Sequence, residues 1–397
     1  MRYMEIKINL ANKSECTGCR VCADACPTSS IVFNADGLHY FPTINGETCI
    51  HCGKCMKVCP PLQWENKNNN RNEFDAKYYC AWNNDSNERF NATSGGVGGA
   101  MASYALAMGW YVCGAAFNDN YELIHIVSNK IEVLDKIRGS KYLQSDTSGV
   151  YKNIVELLSK GEHVLFLGTP CQADALRNVV PQKYMDNVMT CEIICHGVNS
   201  PIVWIDYKSY FEKKYNSKLK TYNFRSKSRG WGKLRVCYSF QNGWSQDVPA
   251  YKNIFHSWFG QHYMMRESCF SCEYRKKERY SDIIIGDFWG IENIAPELDV
   301  KKGASVLIVN SEKAKQFISR TDLSQTEIDT EKAQSVMKGF EDIMPEDQKL
   351  AQIARMKQFE RDYLCYSFNE MATKRYPRIT KWNKILKSVL YHLHIIK

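Results

Sequence analysis

From Tyr78 onward the chain alternates short apolar runs with longer amphipathic ones. YYCAW, WYVCGAAF, ELIHIVS, HVLFLG and VMTCEIIC are brief, rich in β-branched or aromatic residues and bounded by turn-formers, so each predicts a strand. Between them TSGGVGGAMASYALAMG predicts a glycine-rich turn opening a helix, and Val133–Ile137 and Val150–Lys160 predict two more. GSKYLQSD reads as a loop, and TPCQADALR as a loop running into a helix. Strands alternating with helices in this way predict an α/β domain on a mixed, largely parallel sheet. Residues 220–300 are more irregular and strand-rich: RVCYSF alternates, and DIIIGDF and ASVLIVNS read as buried strands. Beyond about residue 311 the pattern predicts polar helices. ENKNNNRNE, at 65–73, is polar and without periodicity, so residues 65–75 read as a linker.

Ahead of that linker, residues 1–64 carry an internal repeat. C-x2-C-x2-C-x3-C-P occurs at Cys16, Cys19, Cys22, Cys26, Pro27 and again at Cys49, Cys52, Cys55, Cys59, Pro60, with a hairpin such as Leu38–Thr43 between the runs. This is the bacterial ferredoxin spacing for two [4Fe–4S] clusters, in which the fourth cysteine of each run reaches the other cluster. The spacing assigns Cys16, Cys19, Cys22 and Cys59 to one cluster, and Cys49, Cys52, Cys55 and Cys26 to the other. Zinc favours two separated CxxC pairs, and a disulfide framework belongs to small secreted chains, so both alternatives fit less well.

Nine of the 17 cysteines lie outside the repeat. Cys80, Cys113 and Cys237 sit in strand-like apolar runs and Cys365 in a helical one, the ordinary setting of a buried free thiol. Cys171 and Cys195 follow two successive strands, and Cys269 and Cys272 form a CxxC in a loop. Strand ends of a parallel sheet share one carboxyl edge, where ligands bind. These four thiolates are therefore candidates for a third [4Fe–4S] site, with zinc or a metal-free redox CxxC as alternatives and Cys191 as a reserve ligand.

Charge and length change the picture little. The formal charge is +9, but an oxidised cluster with its four thiolates carries about −2, so three would bring the total to about +3. No nucleic-acid motif accompanies the basic excess. No window reaches the ~20 apolar residues of a membrane span, and MRYMEIKINL lacks the apolar core of a signal peptide. Cluster thiolates need a reducing compartment, so the expected location is cytoplasmic. KRYPRITKWNKILKSVLYHLHIIK, at 374–397, is basic and places Trp382, Ile385, Leu386, Val389, Leu390 and Leu393 on one helical face. Such a helix either meets the inner face of a membrane or caps an apolar surface of the protein.

A set of short motifs resembles the coenzyme F420-reducing hydrogenase/dehydrogenase beta-subunit family. These are Ser94–Gly95–Gly96, Gly139–Ser140–Lys141–Tyr142, Gly168–Thr169–Pro170–Cys171–Gln172, Cys195–His196–Gly197–Val198, Phe224–Arg225, Cys269–x–x–Cys272, and SDIIIGDFWG from Ser281 to Gly290. The resemblance implies FAD bound in residues 76–158 and a [4Fe–4S] cluster near it in 159–345; residues 346–397 read from their own pattern as a helical, basic amphipathic tail. It implies that Ser94, Gly95, Gly96, Ser140, Lys141, Thr169, Gln172 and Asp287 hold the flavin. On their own physics, the glycines suit either an anion at a helix N-terminus or close helix–strand packing. Lys141 suits either a flavin or a solvated loop. Trp231 and Trp289 suit either a planar ring or the core. His196, beside a cluster candidate, suits either proton delivery or tuning of a ligand sulfur.

The expected function is then an iron–sulfur flavoprotein oxidoreductase, with His196 and Lys141 as catalytic candidates. It would pass electrons between the clusters and FAD, to or from a small organic substrate such as an intermediate of cell-surface polysaccharide synthesis. A non-catalytic electron-transfer component of a larger complex and a coenzyme F420 reductase are the alternatives. The expected partners are a redox protein such as ferredoxin and the substrate; nucleic acid is not expected.

Overall fold

The computed structural model describes residues 7–64, 75–275, 279–337 and 344–378. The expected linker, apart from residue 75, and the tail beyond Arg378 lie outside the described residues. Near the N-terminus, β1 (Ile31–Asp36) and β2 (His39–Ile44) form an antiparallel hairpin in the register Ile31↔Ile44. It lies between two short helices, Val21–Asp24 and Lys54–Val58, one in each cysteine run.

The rest is built on an eight-stranded sheet of order β13-β3-β12-β11-β7-β6-β4-β5. Its members are β3 (Lys77–Asn83), β4 (Tyr111–Phe117), β5 (Leu123–Ser128), β6 (Val164–Gly168), β7 (Val188–Ile193), β11 (Ile283–Asp287), β12 (Ser305–Val309) and β13 (Leu323–Ile328). β4, β6, β7 and β11 are mutually parallel. β5, β12 and β13 each pair antiparallel with a neighbour. The expectation of a largely parallel sheet thus holds for its middle alone. β5 follows β4 after a turn too short for a crossover, so it must return antiparallel. β13 was hidden in a region that reads as helical, because LSQTEI is a half-exposed edge strand with polar outward positions.

Helices cover both faces. Val97–Ala107 buries Met101, Ala102 and Ala105 against one face. Val150–Ser159 and Pro170–Val179 bury Tyr151, Ile154, Leu158 and Leu176 against the other. Central strands covered on both sides read as continuous apolar runs, as Val164–Phe166 and Val306–Val309 do. Between β7 and β11 the chain inserts the helix Pro201–Tyr215 and a small antiparallel sheet, β10-β9-β8 (Ser245–Pro249, Arg235–Phe240, Leu219–Ser226). These close on Trp204, Phe224, Phe240 and Trp258, all almost fully buried. Among the described residues no helix is long and apolar enough to cross a membrane.

β3 runs antiparallel to β12 and therefore parallel to β11. The carboxyl ends of β3, β4, β6, β7 and β11 thus meet at one edge, and the cysteine-rich module docks near it. Asp24 of the module accepts the N–H groups of Gly149 (2.8 Å) and Tyr151 (3.0 Å), capping the helix Val150–Ser159 from outside. Thr147 Oγ1 donates to the Cys19 carbonyl at 2.7 Å, and Gln144 Nε2 to the Thr17 carbonyl at 2.9 Å.

Candidate functional site

Each cysteine run turns into its short helix through a left-handed residue, Arg20 at φ 64° and Gly53 at φ 71°. That turn wraps the three closely spaced thiols around one point. The fourth cysteine arrives from the other run. Cys16, Cys19, Cys22 and Cys59 line one concavity of about 330 Å³, which we call inner. Cys26, Cys49, Cys52 and Cys55 line a second of about 310 Å³, the outer one. Cys171, Cys195, Cys269 and Cys272 line a third, of about 560 Å³, at the carboxyl edge of the sheet. Cys19 borders the inner and the third concavity alike. Cys191 stays in mid-sheet, fully buried and paired with Leu167 and Ile283. Among the described residues no three metal-binding side chains converge on a point fit for a single metal ion; each quartet surrounds a cavity.

Electrostatics follow the same grouping. Burial, and then the neighbouring Cys59 and Cys16, push the Cys19 thiol up to about 12. Burial, then Cys269, raises Cys195 to about 12, and burial with Cys269 raises Cys272 to about 11. Cys171 is pushed up by burial and then by Cys19, Cys272 and Cys195. Thiols so crowded cannot all ionise unless a polycation binds among them, and metal ligation requires the thiolate. The donor sets therefore fit iron–sulfur cubanes. Neutral polar groups already address several sulfurs: the Gly197 N–H donates to Cys195 Sγ at 3.4 Å and the Ser30 N–H to Cys26 Sγ at 3.3 Å, and Thr169 Oγ1 lies 3.2 Å from Cys171 Sγ.

The residues expected to hold FAD gather at the same edge, but their side chains are engaged within the protein. Ser94 Oγ donates to the Ala304 carbonyl at 2.6 Å. A Cβ on Gly95 would fall 2.8 Å from the Ser305 nitrogen, so this glycine permits close packing on the sheet. The Ser140 N–H donates to Thr93 Oγ1 at 2.8 Å. Thr169 and Gln172 form a capping box, and Gln172 Nε2 also donates to Ser145 at 2.9 Å. Lys141 Nζ donates to the carbonyls of Ala115 (2.9 Å), Arg138 (3.0 Å) and Lys136 (3.1 Å). Burial, then the Arg138 charge, lowers its ammonium to about 7. Asp287 accepts from Arg225 Nη1 at 3.1 Å and from Trp231 Nε1 at 3.0 Å. Beside them Trp289, 37 % exposed, stacks on Trp231 with centroids 4.3 Å apart. Arg225 Nη2 is buried there without a hydrogen-bond partner.

His196 is exposed and does not line the third concavity; its carbonyl accepts from Arg275 Nη2. Arg275 and Tyr274, which do line it, were not read from the sequence. Both lie within three residues of Cys272, and that nearness to the CxxC is the signal that marks them. Arg266, taken up below, gave a weaker one.

The comparisons match this division of the chain. Residues 161–335 match the family model for the C terminus of the coenzyme F420 hydrogenase/dehydrogenase beta subunit. Residues 15–61 and 41–92 match two models of 4Fe-4S dicluster domains. Residues 161–335 thus form a domain of that beta-subunit family, behind an iron–sulfur dicluster module. The resemblance is thereby shown for the motifs from Gly168 to Gly290, and residues 15–61 form a 4Fe-4S dicluster domain. One component of the Na(+)-translocating ferredoxin:NAD(+) oxidoreductase complex, from Acetobacterium woodii, is 42% identical over 45 residues, 11% of this chain and 13% of that protein. A chain of the F420-reducing [NiFe] hydrogenase complex from Methanosarcina barkeri, in a xenon-derivatised structure, is 17% identical with a TM-score of 0.43; the match covers 74% of this chain and 94% of that one.

Proposed function

We propose that the chain is a relay for single electrons with three [4Fe–4S] sites in series: outer, inner and third. The observation that carries this reading is Cys19, whose side chain borders both the inner and the third concavity. Bound clusters would supply one-electron exchange. The protein's own part is to hold twelve thiolates in three quartets and to exclude water from the inner path. Of the inner quartet Cys16, Cys19 and Cys22 are buried and Cys59 is half-exposed, whereas of the outer quartet only Cys55 is buried. Ile50, 62 % exposed, lies on the rim of the outer concavity. The outer site is thus where a carrier such as ferredoxin would exchange electrons, and the chain would serve as the electron-transfer component of a larger redox assembly.

A second reading adds FAD at the carboxyl edge, favoured by the buried, unpartnered Arg225 Nη2 beside the stacked Trp231 and Trp289. Bound there, FAD would supply two-electron exchange with an organic substrate, coenzyme F420 or a cell-surface polysaccharide intermediate being the candidates. Protein purified without oxygen tests both readings. The relay requires about twelve iron and twelve labile sulfide per chain. About eight of each would overturn the third site and leave a dicluster module with an appended binding domain. Extractable flavin, one per chain, would add the second reading.

A further inference from the structure

Arg266 is fully buried, and among the described residues no carboxylate pairs with it. Its guanidinium is spread instead over the dicluster module. Nε donates to the Cys16 carbonyl at 2.7 Å, Nη2 to the Tyr40 carbonyl at 2.9 Å, and Nη1 to Gln144 Oε1 at 2.9 Å. Nη2 also lies 3.6 Å from Cys16 Sγ. The group stacks over Phe41 at 4.3 Å. Gly18, at φ +66°, makes room: a Cβ there would come within 2.8 Å of Arg266 Cζ. A buried cation without a counter-ion costs several kcal/mol, so a negative charge is missing from its surroundings. Arg20, the arginine that lines the inner concavity, is already paired with Asp146 at 3.1 Å, whereas Arg266 reaches the site from behind through Cys16. Among the described residues no charged side chain lines the outer concavity, and Cys26 Sγ there accepts from the Ser30 N–H and lies 3.7 Å from Thr28 Oγ1.

We propose that Arg266 is the counter-charge of the inner site and sets its reduction potential above that of the outer site. The proposal rests on the relay reading, since it takes a cluster at Cys16, Cys19, Cys22 and Cys59 as the missing anion. Reduction makes such a centre more negative by one electron, with no bond or proton changing hands. A fixed cation bonded to a ligand sulfur favours that state, while burial alone opposes it. Arg266 is thus a positioning residue: it biases where an electron entering from outside comes to rest. Its place three residues before Cys269 also ties the inner ligand Cys16 to the loop that carries two ligands of the third site.

The test compares the full-length wild type with Arg266→Lys and Arg266→Gln, all prepared without oxygen. Iron is counted, and each centre is titrated with dithionite under electron paramagnetic resonance. We expect all three proteins to hold the same iron. In Arg266→Gln one centre becomes at least tenfold harder to reduce, about 59 mV for a one-electron couple, and the other centres do not move. Arg266→Lys, which keeps the charge and loses the fork, falls between. Unchanged potentials in both variants overturn the proposal. If Arg266→Gln loses about four iron, Arg266→Lys decides: a lowered potential supports the proposal and an unmoved one overturns it. Loss of iron from both variants makes Arg266 a structural clamp and overturns it as well. A wild type with no iron would instead sink the relay reading itself.

Discussion

Arg266 and Lys141 are both inward-facing cations, and the fold holds them differently. Arg266 spans two modules and contacts a ligand sulfur. Lys141 bonds three carbonyls within one region, from Ala115 at β4 and from Lys136 and Arg138 at the end of the helix Val133–Ile137. The second arrangement is that of a staple. Replacing Lys141 with Met should therefore lower stability to denaturant by about 1.5–3 kcal/mol, the worth of hydrogen bonding from a charged group to part-buried carbonyls. It should leave iron content and cluster potentials unchanged. A lysine acting on a cofactor would show the reverse, normal stability with altered redox behaviour. At this scale the sequence was most informative where spacing encodes geometry: the cysteines that line the three concavities are the twelve singled out as ligands. It was least informative for Lys141, Gln172 and Asp287, because a motif identifies a residue but not which backbone groups satisfy it. Arg266 left only a faint mark, a basic residue near a CxxC, since a buried guanidinium has no periodic signature.

Elements were legible to the extent that they are buried. The strands β3, β4, β6, β7, β11 and β12 all sit in runs that read as strands, because burial on both faces leaves an apolar stretch. β13 and the helix Pro201–Tyr215 were missed. The first is an exposed edge, and the second mixes aromatic and charged positions without a clean stripe. The module's grip on the helix Val150–Ser159 is likewise a contact distant in sequence. Asp24 supplies the cap which Gly149, having no side chain, cannot. Asp24→Ala, judged by unfolding in denaturant, should cost about 0.5–2 kcal/mol, the worth of an N-terminal cap. It should also speed amide hydrogen exchange at Gly149 and Tyr151 while the iron count holds. Unchanged exchange at those amides would show that the cap contributes nothing.

For the whole molecule, the organising fact is a line of three thiol-lined concavities running from a half-exposed rim to the carboxyl edge of a mixed sheet. The α/β class and the dicluster module follow from pattern and spacing. The line does not, because it depends on how the module docks, through Gln144, Thr147 and Arg266, onto a domain distant from it in sequence. Docking also brings Cys19 against the third quartet. The most direct measurement is an anomalous difference map at the iron edge from crystals grown without oxygen. The account predicts three iron centres in sequence, the middle one bound by Cys19 and facing the third across that residue. Two centres only, or a third lying away from Cys171, Cys195, Cys269 and Cys272, would contradict it.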